Sequence, residues 1–189
     1  MANKGKLFPP EIYSSEELEK LLASFPGSKT GLRNRALAAT YIYSAVRCAE
    51  ALDLTPRDIN LDECSVLIRN GKGSKRRLVG INCKAIPFIQ AWIKCRPAGG
   101  HLYCTQRGGR LDESYVRRAL KSAAKRAGIE TRFHVHGIRH SSIVHAVEAG
   151  LPIRMAQIQL GHASLSQTAH YLNHLKPHAV IEKMRTLAL

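Results

Sequence analysis

The sequence predicts a mainly α-helical domain carrying one small antiparallel β-sheet, an α+β class. Three observations predict it. Capped stretches with apolar residues at helical spacing recur along most of the chain. The stretch from Asp58 to Gly80 instead shows short strand-like runs around a glycine-rich turn. No apolar run approaches the roughly 20 residues of a membrane span. With 189 residues, 44% of them hydrophobic, the chain can bury a real core in one domain.

The first 13 residues, MANKGKLFPPEIY, read as a leader or linker. They contain no apolar stretch of the kind a secretory signal needs, so the default location is cytoplasmic. Ser14 followed by Glu17 is a capping-box start for a short helix through Leu18, Leu21 and Leu22, closed by Pro26-Gly27. Thr30 is read as the cap of a longer helix running to Val46, and a short helix follows from Arg47 to Leu54, ending at Thr55-Pro56. Val66-Leu67-Ile68 and Leu78-Val79 form a hairpin around Asn70-Gly71-Lys72-Gly73-Ser74-Lys75, with a third strand at Ile59-Asn60-Leu61. Helical pattern returns over Lys84–Lys94 with Trp92 on the apolar face. It returns again over Asp112–Ala127, closed by Gly128, and over His136–Ala149, closed by Gly150. Pro152 suits the start of a further helix that Gly161 ends. Leu165–Asn173 and Pro177–Leu187 complete the series.

Charge narrows the function classes. The chain holds 29 Lys+Arg against 14 Asp+Glu, a formal +15, which calls for a polyanion, nucleic acid before an anionic membrane. Aromatic content of 6% gives little basis for base-stacking platforms of the RNA-binding kind. Arg69, Lys72, Lys75, Arg76 and Arg77 crowd the hairpin, and Arg117, Lys121 and Lys125 recur at every fourth position beside Arg118. A solvated face is the bland reading of such a stripe. With few acidic partners it is read here as a track for the DNA backbone. Five widely spaced cysteines with no C-x-x-C pair read as reduced thiols. His134, His136 and His140, and likewise His170, His174 and His178, lack Cys or carboxylate support, so no metal is expected.

The chain holds an ordered series. Arg47-Cys48-Ala49-Glu50, then Gly71-Lys72-Gly73-Ser74-Lys75, then His136-x-x-Arg139-His140, then Leu160-Gly161-His162, and nine residues on Tyr171, resembles the catalytic series of the tyrosine recombinase (phage integrase) family. Leu54-x-x-x-Asp58-Ile59 and Ala127-Gly128-Ile129 fit the same resemblance, which covers roughly residues 14 to 186. It implies a DNA breaking-rejoining enzyme catalytic-domain fold over residues 14–173, double-stranded DNA as partner, and a site-specific recombinase that needs no cofactor.

The resemblance also assigns roles. Arg47 and Arg139 would clamp the scissile phosphate, whose transition state gathers negative charge that guanidinium forks suit. His162 would add a hydrogen bond to that phosphate. Tyr171 would be the nucleophile, forming a 3′-phosphotyrosyl bond. A tyrosine of pKa near 10 is only about 0.1% ionised at pH 7, a handicap of roughly 4 kcal/mol, and His136 would take its proton. Lys72 would protonate the leaving 5′ oxygen, with Lys75 as the other lysine able to reach it. Glu50 would orient the arginines, His140 would be buried support, and Tyr41, Tyr43, Tyr103 and Tyr115 would be packing residues.

Two departures stand out. The family commonly has glycine two places before the first arginine, where this chain has Ala45. The family-like part starts near residue 14, so no N-terminal core-binding domain is expected in this chain. It reads either as an excised catalytic domain or as similar to small catalytic-domain-only recombinases such as fimbrial phase-variation invertases. The resemblance further implies a tetramer on DNA, with the tail helix 174–189 either exchanged between protomers or packed on its own domain, and leaves room for an accessory DNA-bending or core-binding protein. A type IB topoisomerase-like nicking-closing enzyme and a catalytically silent DNA-binding regulator of the same fold are the rival readings.

Overall fold

The computed structural model describes residues 12–69 and 76–164, together with Thr168 and Arg185. Helix α1 (Ser15–Ala23) starts as the capping box predicts: Glu17 N–H donates to Ser14 Oγ (3.1 Å), and Ser14 N–H donates to Glu17 Oε2 (2.8 Å). Helix α2 (Lys29–Ser44) is capped by Ser28, whose hydroxyl accepts from Gly31 N–H, and not by Thr30. Helix α3 (Cys48–Leu52) follows after a tight turn. A 3-10 turn at Pro56–Asp58 then leads into the sheet.

Strands β1 (Ile59–Asn60), β2 (Ser65–Ile68) and β3 (Arg77–Gly80) pair antiparallel in the order β1-β2-β3, with Val66 opposite Ile59 and Val79. The sheet buries Val66, Ile68 and Val79, so only one face carries core. Lys84–Lys94 becomes a 3-10 turn at Cys83–Ala85 followed by α4 (Ile86–Ile93). Trp92 is fully buried and donates from Nε1 to the Leu102 carbonyl (2.8 Å), which ties the connection after α4 to the core.

Helix α5 (Glu113–Arg126) is capped by the Asp112 carboxylate and followed by Gly128 at φ 68, the left-handed residue that closes a helix. Helix α6 (Val135–Glu148) begins one residue earlier than the sequence reading, because the His134 Nδ1 accepts from Gly137 N–H (2.8 Å). Helix α7 (Ile153–Leu160) starts after Pro152 and ends at Gly161, φ 63. Helix α2 is the hub: α1, α4, α5 and α6 all pack on it, and ten of its residues are buried. A second small core of Ala45, Ile143, Val144, Ala156 and Leu160 fastens α6 and α7 to the end of α2. The helices expected at Leu165–Asn173 and Pro177–Leu187 lie outside the described residues.

One expectation is overturned. Cys64 and Cys83 form a disulfide, while Cys48, Cys95 and Cys104 are free. The sheet register is the reason. Ser65 faces Gly80, and Ile81 N–H donates to the Cys64 carbonyl (2.9 Å), so residues 19 apart in sequence meet at the open end of the β2–β3 hairpin, opposite its turn.

Candidate active site

Four segments converge on one carboxylate. At the end of α2, Ala45 adopts a left-handed backbone (φ 53) that turns the chain into α3. Arg47 caps α3, donating from its backbone N–H to Glu50 Oε2 (2.8 Å) and from Nη1 to Glu50 Oε1 (2.9 Å). Arg77, the first residue of β3, adds a parallel fork to the same group, Nη1 to Oε1 and Nη2 to Oε2, both 2.9 Å. Arg139 on α6 stands 4.0 Å from Glu50 Oε2. It is held from two sides, by the Ala45 carbonyl at Nη1 (2.6 Å) and the Leu160 carbonyl at Nη2 (2.8 Å).

This arrangement fixes the electrostatics. Burial of Glu50 opposes its charge, but the Arg77 fork and the Arg47 hydrogen bonds outweigh it and hold the carboxyl at about 2. Three guanidinium groups therefore face one carboxylate, and a net positive charge is left in the cleft. Arg47 is the outermost of the three, its side chain 30% exposed, while Glu50 is 4% and Arg139 3% exposed. A cavity of about 490 Å³ opens beside them, lined by Arg47, Cys48, His134, His136 and Arg139 among others.

The two histidines share that field. His162 follows Gly161 and is held by Gln157 at both backbone groups: its N–H donates to the Gln157 carbonyl, and its carbonyl accepts from Gln157 Nε2 (3.1 Å). Its Nδ1 lies 3.1 Å from Thr168 Oγ1. Partial burial, then the charges of Arg139, Arg47 and Arg77, lower its pKa to about 4. His136 sits at the exposed mouth of the cleft. There the surrounding protein, then Arg139, His134 and Arg47, also lower its pKa. Both imidazoles are thus neutral at pH 7 and able to accept a proton or present one N–H. Among the described residues, no group of three or more His, Cys, Asp or Glu side chains is arranged to hold a metal ion.

The structure brings Arg47, Glu50, His136, Arg139 and His162 together and buries His140 on the same helix. Lys72, Lys75 and Tyr171 lie outside the described residues. Arg77 departs from its expected place on a DNA-facing hairpin surface. It lies inside the cleft on Glu50, with its guanidinium so near Gly161 that a Cβ there would come within 2.9 Å of Nε. The signal was present: in a strand, residues 77 and 79 share a face, and Val79 is core. Arg69 pairs with the buried carboxylate of Asp58, and Arg76 is exposed. On α5, Arg117, Arg118, Lys121 and Lys125 are all exposed, though Arg117 is paired with Glu113 (2.7 Å) at the fourth position before it. Gln157 and Thr168, which brace His162, carried no sequence signal of their own.

The fold is a mainly helical domain with a three-stranded antiparallel sheet and a cationic, histidine-flanked cleft, and comparison with known proteins places it. Residues 12–178 match the phage integrase family, and the chain belongs to that family. Tyrosine recombinase XerC of Haemophilus ducreyi is 34% identical over 166 residues, covering 86% of this chain and 54% of XerC. The XerA recombinase structure superposes with a TM-score of 0.82 at 26% identity, covering 100% of this chain and 68% of XerA. XerH bound to a palindromic difH substrate, a post-cleavage complex, gives 0.78 at 28%, covering 95% of this chain and 54% of XerH. The chain spans about half the length of the XerC relative.

Proposed function

We propose that this chain acts as a site-specific DNA recombinase that cleaves and rejoins double-stranded DNA through Tyr171. The observation that carries the reading is the arginine-rich junction on Glu50. It leaves Arg47 at the mouth of a positively charged cleft beside two neutral histidines. A phosphodiester entering the cleft gains a second negative charge in the transition state of attack, and a pre-arranged cationic site stabilises that added charge most. Arg47 and Arg139 bind the non-bridging oxygens, His162 donates to them, His136 takes the Tyr171 proton and Lys72 protonates the leaving 5′ oxygen. No step draws on a cofactor. The family match, which spans residues 12–178, and the XerH relative, whose structure is a post-cleavage complex with DNA, support strand cleavage; the choice of Tyr171 rests on its place in the resembling series.

The exposed basic residues of α5 hold flanking DNA, and the protein works as a tetramer on DNA with tail 174–189 exchanged between protomers. Gel filtration of a version ending at Asn173, with and without DNA, tests the exchange, and unchanged assembly refutes it. The central experiment incubates the protein with nicked suicide duplexes, the difH site of the XerH relative among them, and looks for a covalent adduct on denaturing gels. Wild type forms the adduct and Tyr171→Phe does not. An adduct that survives Tyr171→Phe removes the assignment of the nucleophile.

A further inference from the structure

Tyr13, in the segment entering α1, is fully buried and touches α6 along three of its turns. Its backbone N–H donates to Ser141 Oγ (2.8 Å), and its carbonyl lies 2.7 Å from His145 Nε2. Its hydroxyl accepts from the His134 N–H (2.8 Å) and donates to the Arg132 carbonyl (3.0 Å). The ring stacks on Phe133, with centroids 5.3 Å apart. The hydroxyl thus grips the residue that caps α6, whose imidazole in turn accepts from Gly137 N–H. Gly137 completes the fit: a Cβ at that position would come within 2.8 Å of Tyr13 Cε2 and 2.9 Å of its hydroxyl. The glycine between His136 and Ile138 is therefore the seat of the Tyr13 ring.

We infer that Tyr13 is a positioning residue that sets the first turn of α6 and, through it, His136 and Arg139; this rests on the reading of those two side chains as part of a strand-cleaving site. The hydroxyl reaches His134, two residues before His136 and five before Arg139. A turn that loses this grip can tilt, and displacements of an ångström in such groups lower rates by large factors. The ring alone would serve for packing. The hydroxyl is what orients the helix start.

The test uses Tyr13→Phe, which keeps the ring and removes the hydroxyl, with Tyr103→Phe as control. Tyr103 is an equally buried tyrosine whose hydroxyl is bonded to Thr40 on α2 and not to any part of α6. Adduct formation is followed in single turnover at saturating protein, alongside duplex affinity, melting temperature and the titration of the His136 ring by NMR. Tyr13→Phe is expected to slow adduct formation about tenfold or more, to leave affinity within about twofold, and to move the His136 titration toward the ordinary histidine range. Tyr103→Phe is expected to lower the melting temperature without changing rate or titration. If Tyr13→Phe matches wild type in both rate and titration, or if the two variants lose rate in proportion to stability, Tyr13 is a structural anchor only and the inference is overturned. A wild type that forms no adduct refutes the strand-cleavage reading instead. The His136 titration still judges the positioning effect in that case.

Discussion

Arg77 and Glu50 meet as two parallel hydrogen bonds of 2.9 Å, one from each guanidinium tip to each carboxylate oxygen. The pair is buried, and its carboxylate also takes two hydrogen bonds from Arg47. Glu50 is thus the counter-charge that lets cationic groups gather at one place. Removing one partner of such a pair leaves the other buried and uncompensated.

Glu50→Gln is therefore expected to cost about 3 kcal/mol or more of unfolding free energy, measured by urea denaturation. Adduct formation should fall as well, since Arg47 and Arg77 lose their common anchor. A change below about 0.5 kcal/mol, the range of ordinary surface substitutions, would show that the junction does not hold the fold together.

Acid should act on the same group. Glu50 has a folded pKa near 2 against an ordinary 4.5, so its stabilisation is present above the unfolded value and is lost as pH falls toward 2. That difference corresponds to about 3 kcal/mol. His162, depressed to about 4 from 6.5, acts in the same direction over a higher window, because the unfolded chain takes up its proton first. Thermal melts should decline from pH 6.5 downward through the His162 window and keep declining below 4.5 through the Glu50 window. In Glu50→Gln the decline below pH 4.5 should be shallower, leaving the part due to carboxylates such as Asp58. An unchanged acid profile in that variant refutes the assignment.

Gly161 serves two demands at once. Its φ of 63 belongs to the left-handed region, and its missing Cβ makes room for the Arg77 guanidinium. Gly161→Ala should cost about 1–2 kcal/mol from backbone strain alone, and more if Arg77 is pushed off Glu50. Ala45 poses the same question with the opposite answer. It is also left-handed, but its methyl is buried in the small core joining α6 and α7. Relief of strain and loss of that methyl, about 0.8 kcal/mol, offset each other, so Ala45→Gly is expected to be nearly neutral. A gain well above 1 kcal/mol would show that the methyl contributes no packing.

The α5 face can be separated from the cleft. Lys121→Ala with Lys125→Ala removes two exposed charges that make no ion pair among the described residues. Fluorescence anisotropy with a labelled duplex should show weaker binding and a log–log salt slope shallower by about 2, with melting temperature unchanged. An unaltered slope would mean that DNA does not run along this helix.

Elements whose causes lie within a few residues could be read from the sequence. The Ser14–Glu17 box, the hairpin with its third strand, and Gly128 and Gly161 as helix stops all rest on local spacing, because caps, turns and periodicity are short-range interactions, whereas the series Arg47, His136, Arg139, His162 was legible only through its resemblance to a family. Even among the local signals Ser28 displaced Thr30 as cap of α2, and the Thr30 hydroxyl instead accepts from Gln106 Nε2. Tertiary structure decided the rest, although the two-residue repeat of β3 already put Arg77 on the face of buried Val79. Arg77 turned from a surface candidate into the partner of Glu50 when β3 took its register, and that register also joined Cys64 to Cys83. Tyr13 came to rest on Gly137 only once α1 and α6 had packed around α2. Such contacts depend on how distant segments are brought together, which no local pattern encodes.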